Sequence, residues 1–217
     1  KMIIHQIYGL FDDGKEMPDL FKQKQQEVLK WSAKNKYDYI LWDKRACEEL
    51  IIEFPEYLYM YSESRHPVMK VDIIRFLILY KHGGCYIDLD CEPAPLLGKL
   101  KKDDFICAYK VGNKREHYEM EIVQSIKGNI FLLKFLDYVE TQIMEKDNIK
   151  IYEKWKARYI YQTTGPYSLN RFINKGLNEI DMNIKKYIIN EPSTKPYELN
   201  LKGNEDFISH PSCSYLI

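Results

Sequence analysis

Cys85-Tyr86-Ile87-Asp88-Leu89-Asp90 is a short apolar stretch that ends in two carboxylates spaced two apart. Side chains alternate across a strand, so at this spacing Asp88 and Asp90 are expected to point the same way. Two like charges side by side repel, and each keeps its water. A divalent cation placed near both relieves that cost. Mn²⁺ and Mg²⁺ prefer hard oxygen ligands and commonly share them with substrate phosphates. The stretch therefore points to a metal that holds a diphosphate. Two aspartates at this spacing are also common by chance, so the surroundings carry the decision.

Upstream lies the strongest helix of the chain, Pro67 to Lys81, which stops at His82-Gly83-Gly84, a good helix C-terminal signal. Within it, Asp72 and Arg75 sit among Val71, Ile73, Ile74, Phe76, Leu77, Ile78 and Leu79. At i,i+3 the two charges share one face and can pair. The plain reading is an ion pair that satisfies itself. The functional one is a carboxylate and a guanidinium offered to a polar ligand such as a sugar, work for which the fixed fork of arginine is suited. Gly83-Gly84 lets the chain turn tightly, so that helix and Asp-x-Asp strand face one cleft.

Further out, Met2 to Tyr8 reads as a first strand, Pro18 to Lys34 as a helix, Tyr37 to Trp42 as a second strand and Lys44 to Ile52 as a short helix. This β-α-β-α opening is the pattern of a sheet covered by helices. Phe54 to Arg65 is a Tyr-rich connection with a weak helical pattern. Pro93 and Pro95 break regular structure. Phe105 to Tyr109 and Glu119 to Val123 read as strands, Ile130 to Met144 as a helix, Lys154 to Gln162 as helix or turn, Thr164 to Asn174 as a helix and Ile184 to Ile189 as a late strand. The tail from Glu191 is rich in Pro, Ser, Gly and Asn, and no further strand is read in it. No repeat or linker divides the chain, so residues 1–217 are expected to form one α/β domain.

Composition narrows the function. Lys plus Arg and Asp plus Glu number 32 each, and this balance argues against nucleic-acid binding, which needs a basic footprint. Hydrophobic residues make up 45% of the chain and 18 residues are tyrosine, enough for a sizeable core and for aromatic clefts. The five cysteines, at 47, 85, 91, 107 and 213, form no CxxC pair. Neither a disulfide framework nor a zinc knuckle is indicated, and a reducing compartment is expected. No secretory signal opens the chain and no apolar run is long enough for a span. The first residue is Lys rather than Met, so the ends are open to trimming. No G-x-G-x-x-G follows the first strand, which removes a dinucleotide-binding reading. Asp-x-Asp phosphatases carry their aspartates after the first strand, unlike this chain.

Asp72-x-x-Arg75, Tyr80, Gly83-Gly84, Tyr86, Asp88 and Asp90 form one helix-turn-strand unit. This unit resembles the sugar-binding core of glycosyltransferases with an Asp-x-Asp motif, the type represented by initiating α-1,6-mannosyltransferase and by α-1,4-galactosyl- and N-acetylglucosaminyltransferases. Large clostridial glucosylating toxins carry a related version. Ile3-Ile4-His5-Gln6-Ile7-Tyr8 is similar to the family's opening strand, and Tyr39-Ile40-Leu41-Trp42-Asp43 to its second. Thr164-Gly165-Pro166 matches a family Thr-Gly-Pro, and His210 through Ser214-Tyr215 resembles its terminal motif. Val71 stands where the family has Ser, Tyr8 and Tyr215 replace Trp, and Pro211 and Cys213 depart from the terminal pattern.

The resemblance implies a GT-A fold, a Rossmann-like mixed sheet flanked by helices. It implies a retaining transferase with a nucleotide-sugar donor and Mn²⁺ or Mg²⁺. Asp90 would bind the metal most directly, Asp88 through water or while touching the ribose. Asp72 and Arg75 would grip the donor sugar. His5, Gln6, Ile7 and Tyr8 would line the base and ribose pocket, while His210 and Ser214 would close over the diphosphate, His210 completing the metal shell. No residue declares itself a covalent nucleophile, so a front-face transfer is expected in which the leaving phosphate helps deprotonate the acceptor. By analogy with bacterial surface-polysaccharide enzymes the expected donor is a UDP-hexose and the acceptor a glycan or lipid-linked glycan. The setting is then cytoplasmic, with room for peripheral contact at the inner face of a membrane. The alternative is a nucleotide-sugar or glycan-binding module without catalysis.

Overall fold

The structure is a computed structural model that describes residues 1–11, 16–91, 100–102, 104–111, 116–176, 183–190, 197–201 and 204–210. The expectations for Pro93, Pro95, Pro211, Cys213, Ser214 and Tyr215 lie outside these residues.

The chain opens with β1 (Ile3–Ile7), α1 (Asp19–Lys34), β2 (Asp38–Trp42), α2 (Lys44–Ile52), α3 (Pro55–Ser62), α4 (Pro67–His82) and β3 (Gly84–Ile87). β4 (Asp104–Val111) and β5 (Glu116–Ser125) follow. Then come α5 (Ile130–Met144), α6 (Lys146–Lys154), α7 (Lys156–Thr163), α8 (Pro166–Gly176), β6 (Asn183–Asn190), β7 (Tyr197–Leu201) and β8 (Asn204–His210). The strands form one mixed sheet in the order β2-β1-β3-β5-β4-β6-β7-β8. β1 pairs in parallel with both β2 and β3, in register Ile4↔Tyr39 and Ile4↔Cys85. From β3 the sheet turns antiparallel to β5 and then to β4, and β6 runs parallel to β4.

Strand alternation sorts the two faces. Ile4, Cys85, Ile87, Ile106 and Ile122 pack with Val28 of α1 on one side. Ile7, Trp42, Tyr86, Phe105 and Val123 pack on the other with Ile73, Phe76 and Leu77 of α4 and Phe131 and Phe135 of α5. Helix α4 is buried from Asp72 through Leu79, as expected of a helix apolar on every side. His66 caps its start by accepting from the Val68 amide at 3.3 Å, and Pro67 occupies its first turn.

The turn from α4 to β3 requires glycine twice. Gly83 has φ +67 and Gly84 φ +101, a region that L side chains rarely adopt. A Cβ on Gly84 would lie 2.3 Å from the Ile3 carbonyl oxygen, and one on Gly83 2.6 Å from the Lys127 amide nitrogen. The Gly-Gly pair thus lets β3 lie against β1 directly after the helix.

Two expectations change, for the Asp-x-Asp residues and the tail, and two are sharpened. The Asp-x-Asp residues are not strand: β3 ends at Ile87, and Leu89 and Asp90 form a turn in which the Cys91 amide donates to the Asp88 carbonyl at 3.1 Å. The helix-or-turn segment at 154–162 is helix α7, which starts at Lys156 after a break at Trp155, and a separate helix, α6, precedes it. The connection at 54–65 contains a two-turn helix, α3, started by Pro55. The tail contributes β7 and β8, which extend the sheet beyond β6. Among the described residues no helix is long and apolar enough to cross a membrane.

Candidate functional site

Tyr86 and Asp88 share strand parity, and both face α4. The Tyr86 hydroxyl donates to Asp88 Oδ1 at 2.7 Å. Arg75 reaches down from α4, its guanidinium 4.6 Å from the centre of the Tyr86 ring. The same guanidinium pairs with Asp72 Oδ1 at 3.0 Å and Asp88 Oδ1 at 3.3 Å, and donates to the Met120 carbonyl at 2.5 Å. The Asp72–Arg75 pair expected from i,i+3 spacing is present, and Arg75 is the hub that joins α4, β3 and β5.

The Met120 carbonyl is free to receive Arg75 because β5 bulges. β4 pairs Cys107 with Val123 and the next residue, Ala108, with Glu119, so 120–122 have no partner on β4. In this stretch Ile122 pairs with Ile87 of β3, and the Glu121 carbonyl accepts from the Asp88 amide at 2.8 Å. The bulge therefore holds both the guanidinium and the backbone of the Asp-x-Asp turn.

Asp72 is held from a second side by the Thr164 hydroxyl, which donates to Oδ2 at 2.7 Å. Thr164 caps the end of α7, and Gly165 and Pro166 turn the chain into α8. Burial pushes the Asp72 carboxyl up from 3.8 to about 7, against the opposing pull of Arg75 and Thr164, with Asp88 and Glu119 adding to the rise. Burial also opposes charge on Arg75, yet Asp88, Tyr86 and Asp72 together hold its proton more firmly than in water. The guanidinium stays charged, and burial raises the Asp72 carboxyl beside it. The Tyr86 hydroxyl is raised well above its ordinary value by burial and by Asp88, so it remains a donor.

β1 lies alongside. Its Gln6 amide donates to the Asp88 carbonyl at 3.3 Å and accepts from the Tyr39 hydroxyl at 2.9 Å. His5 is fully buried. The Trp42 indole donates to its Nδ1 at 3.1 Å, so Nε2 carries the hydrogen and donates to the Gly83 carbonyl at 2.9 Å. Burial lowers its pKa to about 4, opposed by the Gly83 bond and aided by nearby His82, so the ring is neutral near pH 7. Ile7 is in the core, and Tyr8 is half-buried just past β1.

The structure thus brings Asp72, Arg75, Asp88 and Gln6 into one connected network, with Asp90 in the adjoining turn. Asp88 is the open member, its side chain 29% exposed against 6% for Asp72. His210 ends β8, where its backbone pairs with Tyr197, and four strands of the sheet lie between β8 and β3. Sequence reasoning left Thr164 without a role and did not single out Glu119 and Glu121, which are buried on β5. A signal for the glutamates was present, since Glu119-Met120-Glu121 repeats the carboxylate spacing of Asp88-Leu89-Asp90. Nothing local in the sequence announces the bulge.

The donors present are hard carboxylate oxygens. Among the described residues no three His, Cys, Asp or Glu converge as a preformed metal cage. A cation that takes one or two carboxylates and completes its shell with phosphate and water fits Asp88 and Asp90; one needing a closed protein cage does not.

Residues 18–110 match the family described as glycosyltransferase sugar-binding region containing DXD motif. The chain carries this sugar-binding region. The match spans α1 to β4 and so includes Asp72, Arg75, Asp88 and Asp90. Mannosyl phosphorylinositol ceramide synthase SUR1 of Saccharomyces cerevisiae is 30% identical over 177 residues, covering 77% of this chain and 40% of the yeast protein. Inositol phosphoceramide mannosyltransferase 3 of Schizosaccharomyces pombe is 32% identical over 98 residues, 40% of this chain and 27% of that protein. The chain thus spans less than half the length of these relatives. The solved PaToxG glycosyltransferase superposes with a TM-score of 0.51 at 16% identity, over 82% of this chain and 70% of its own. That likeness gives the sugar-binding region a GT-A setting, as the sequence resemblance implied.

Proposed function

We propose that the protein is a metal-dependent, retaining hexosyltransferase that uses a nucleotide-sugar donor. The observation that carries the reading is the buried network in which Arg75 joins Asp72, Asp88 and Tyr86 beside the DXD turn. The arrangement holds Asp88 rigidly while leaving it accessible.

Asp72 accepts from hydroxyls of the donor sugar, with Thr164 and Arg75 fixing its plane. Arg75 is a positioning residue: its Nη donors go to Asp72, Asp88 and the Met120 carbonyl. Asp88 and Asp90 hold the divalent cation, which when bound supplies positive charge to the diphosphate leaving group. β1 from His5 to Tyr8 backs the nucleotide, and His210, which ends β8 at the far edge of the sheet, has no part in this arrangement. The leaving phosphate takes the acceptor proton, since no described side chain is arranged as a nucleophile.

Both relatives are named for mannosyl chemistry, which favours mannose as the hexose, and on that support GDP-mannose replaces the UDP-hexose expected from sequence. The acceptor is a polyhydroxylated ring on a glycan or lipid. A panel of GDP-mannose and UDP-hexoses with Mn²⁺, scored for donor hydrolysis and for transfer, tests the reading. Asp88→Ala and Asp90→Ala are expected to lose turnover by at least about 10²-fold. Full activity in EDTA would overturn the metal assignment, and turnover of UDP-hexoses alone would overturn the mannosyl one. Mn²⁺-dependent nucleotide binding without any turnover would instead identify a binding module.

A further inference from the structure

The DXD turn is held from both faces of the sheet. On the α4 face, Tyr86 and Arg75 hold the Asp88 carboxylate. The Asp88 backbone has partners of its own. Its amide donates to the Glu121 carbonyl at 2.8 Å, and its carbonyl accepts from the Cys91 amide at 3.1 Å. That second bond closes the turn whose central residues are Leu89 and Asp90. Pairing of β1 with β3 ends at His5↔Tyr86. Beyond that point a side chain takes over: Gln6 Nε2 donates to the same Asp88 carbonyl at 3.3 Å.

By strand alternation Gln6 shares the α1 side of the sheet with Ile4. It is fully buried, and its amide has one workable orientation. A carbonyl can only accept, so the nitrogen must face Asp88 and the oxygen is left for Tyr39. The Tyr39 hydroxyl of β2 donates to that oxygen at 2.9 Å. Tyr39 packs on the same side, against the cluster that contains Ile4 and Ile87. Burial raises its pKa, opposed by a hydrogen bond from Gln25 of α1, so the hydroxyl keeps its proton. β2, β1 and β3 are neighbours in the sheet, and one chain of hydrogen bonds runs across all three to the DXD turn.

We infer that Tyr39 and Gln6 are positioning residues for the DXD turn, which through the Asp88 carbonyl hold Asp90 in place to bind the divalent cation. The inference rests on the proposed metal-dependent transfer. The Asp88 carboxylate has its own anchors in Tyr86 and Arg75, whereas Asp90 is placed by the turn, so the effect of the relay falls chiefly on Asp90. Within the strand that backs the nucleotide, Gln6 therefore acts through the turn, with both ends of its amide engaged inside the protein. Groups that orient a metal's ligands in this way contribute about 10–100-fold to metal affinity.

The test uses Tyr39→Phe, which removes only the hydroxyl, and Gln6→Glu, which keeps the shape but sets an acceptor against the Asp88 carbonyl. Tyr57→Phe is the control, since it removes a hydroxyl that donates to Asp137 at 2.8 Å, away from the turn. Mn²⁺ affinity is read by electron paramagnetic resonance with GDP present, and hydrogen exchange of the Cys91 amide reads the turn without metal. Mn²⁺ affinity is expected to fall about tenfold or more in Gln6→Glu and about three- to tenfold in Tyr39→Phe. Cys91 exchange should speed up about fivefold in Tyr39→Phe, while Tyr57→Phe changes neither reading. Mn²⁺ affinity in Tyr39→Phe equal to that of the parent or of Tyr57→Phe would overturn the inference, because a merely structural hydroxyl lowers stability without moving metal affinity. Weakened Mn²⁺ binding with Cys91 exchange unchanged would overturn it too, since the relay acts by holding the turn. If Gln6→Glu does not fold, Tyr39→Phe alone decides. If the parent protein binds no Mn²⁺ with GDP, the metal reading fails by itself, and Cys91 exchange still decides whether Tyr39 and Gln6 hold the turn.

Discussion

Replacing Asp72 with Asn is expected to make the protein more stable above neutral pH while abolishing transfer. The folded-state pKa of Asp72 is raised from 3.8 to about 7, chiefly by burial. Because the folded pKa exceeds the unfolded one, the folded state binds the extra proton between these values, and stability falls as pH rises through that window. At about 1.4 kcal/mol per unit the ionised carboxylate costs the fold about 4 kcal/mol at pH 8, but only about 1–2 kcal/mol at pH 5. Asn has the shape of the neutral acid and can still accept from Thr164. Its amide also faces Arg75, which removes part of the gain, so about 2–4 kcal/mol is expected at pH 8. For a chain of this length that raises Tm by roughly 5–15 °C. Urea and thermal unfolding of both proteins at pH 5 and pH 8, with a chelator present, gives the four values needed. The gap between variant and parent should widen by about 3 kcal/mol from pH 5 to pH 8. A gap of the same size at both pH values, or an Asn variant less stable at pH 8, would refute the reasoning.

Two substitutions probe the parts that hold the network. Gly84→Ala sets a Cβ 2.3 Å from the Ile3 carbonyl at φ +101, and should cost about 3 kcal/mol or more in urea unfolding; a loss below about 1 kcal/mol would contradict the close approach of β3 to β1. Thr164→Val removes the donor to Asp72 Oδ2 and is expected to cost about 1–3 kcal/mol, more at pH 8 than at pH 5, with Thr164→Ser restoring most of it. Equal effects of Val and Ser would show that the hydroxyl does not hold the carboxylate.

Much of this arrangement was legible because it is local. The i,i+3 spacing of Asp72 and Arg75 required only a helix, and the apolar run around them required that helix to be buried. Gly83-Gly84 announced the turn, and the apolar residues of β1 and β2 announced a sheet. The pairing of Tyr86 with Asp88 follows from strand parity, although the strand ends one residue before the first aspartate. The parity argument therefore reaches Asp88 but not Asp90, which is placed by a turn. Thr164 was visible as part of Thr-Gly-Pro without a role, since its partner lies 92 residues away. β7 and β8 were hidden in a polar, Pro- and Gly-containing tail whose residues pair only because β6 offers an edge.

The sequence by itself determined which residues carry charge into the core, that one helix holds two of them, and that the DXD aspartates follow a buried strand. These are consequences of short-range spacing and of the cost of leaving apolar side chains in water. Only the tertiary structure decided which atoms those charges meet. A guanidinium has donors for several partners, and which carbonyl or carboxylate takes each one depends on where β5 bulges and how closely α7 approaches α8. Those positions are set by packing between segments far apart in the chain, where backbone groups with no sequence signature of their own complete the site.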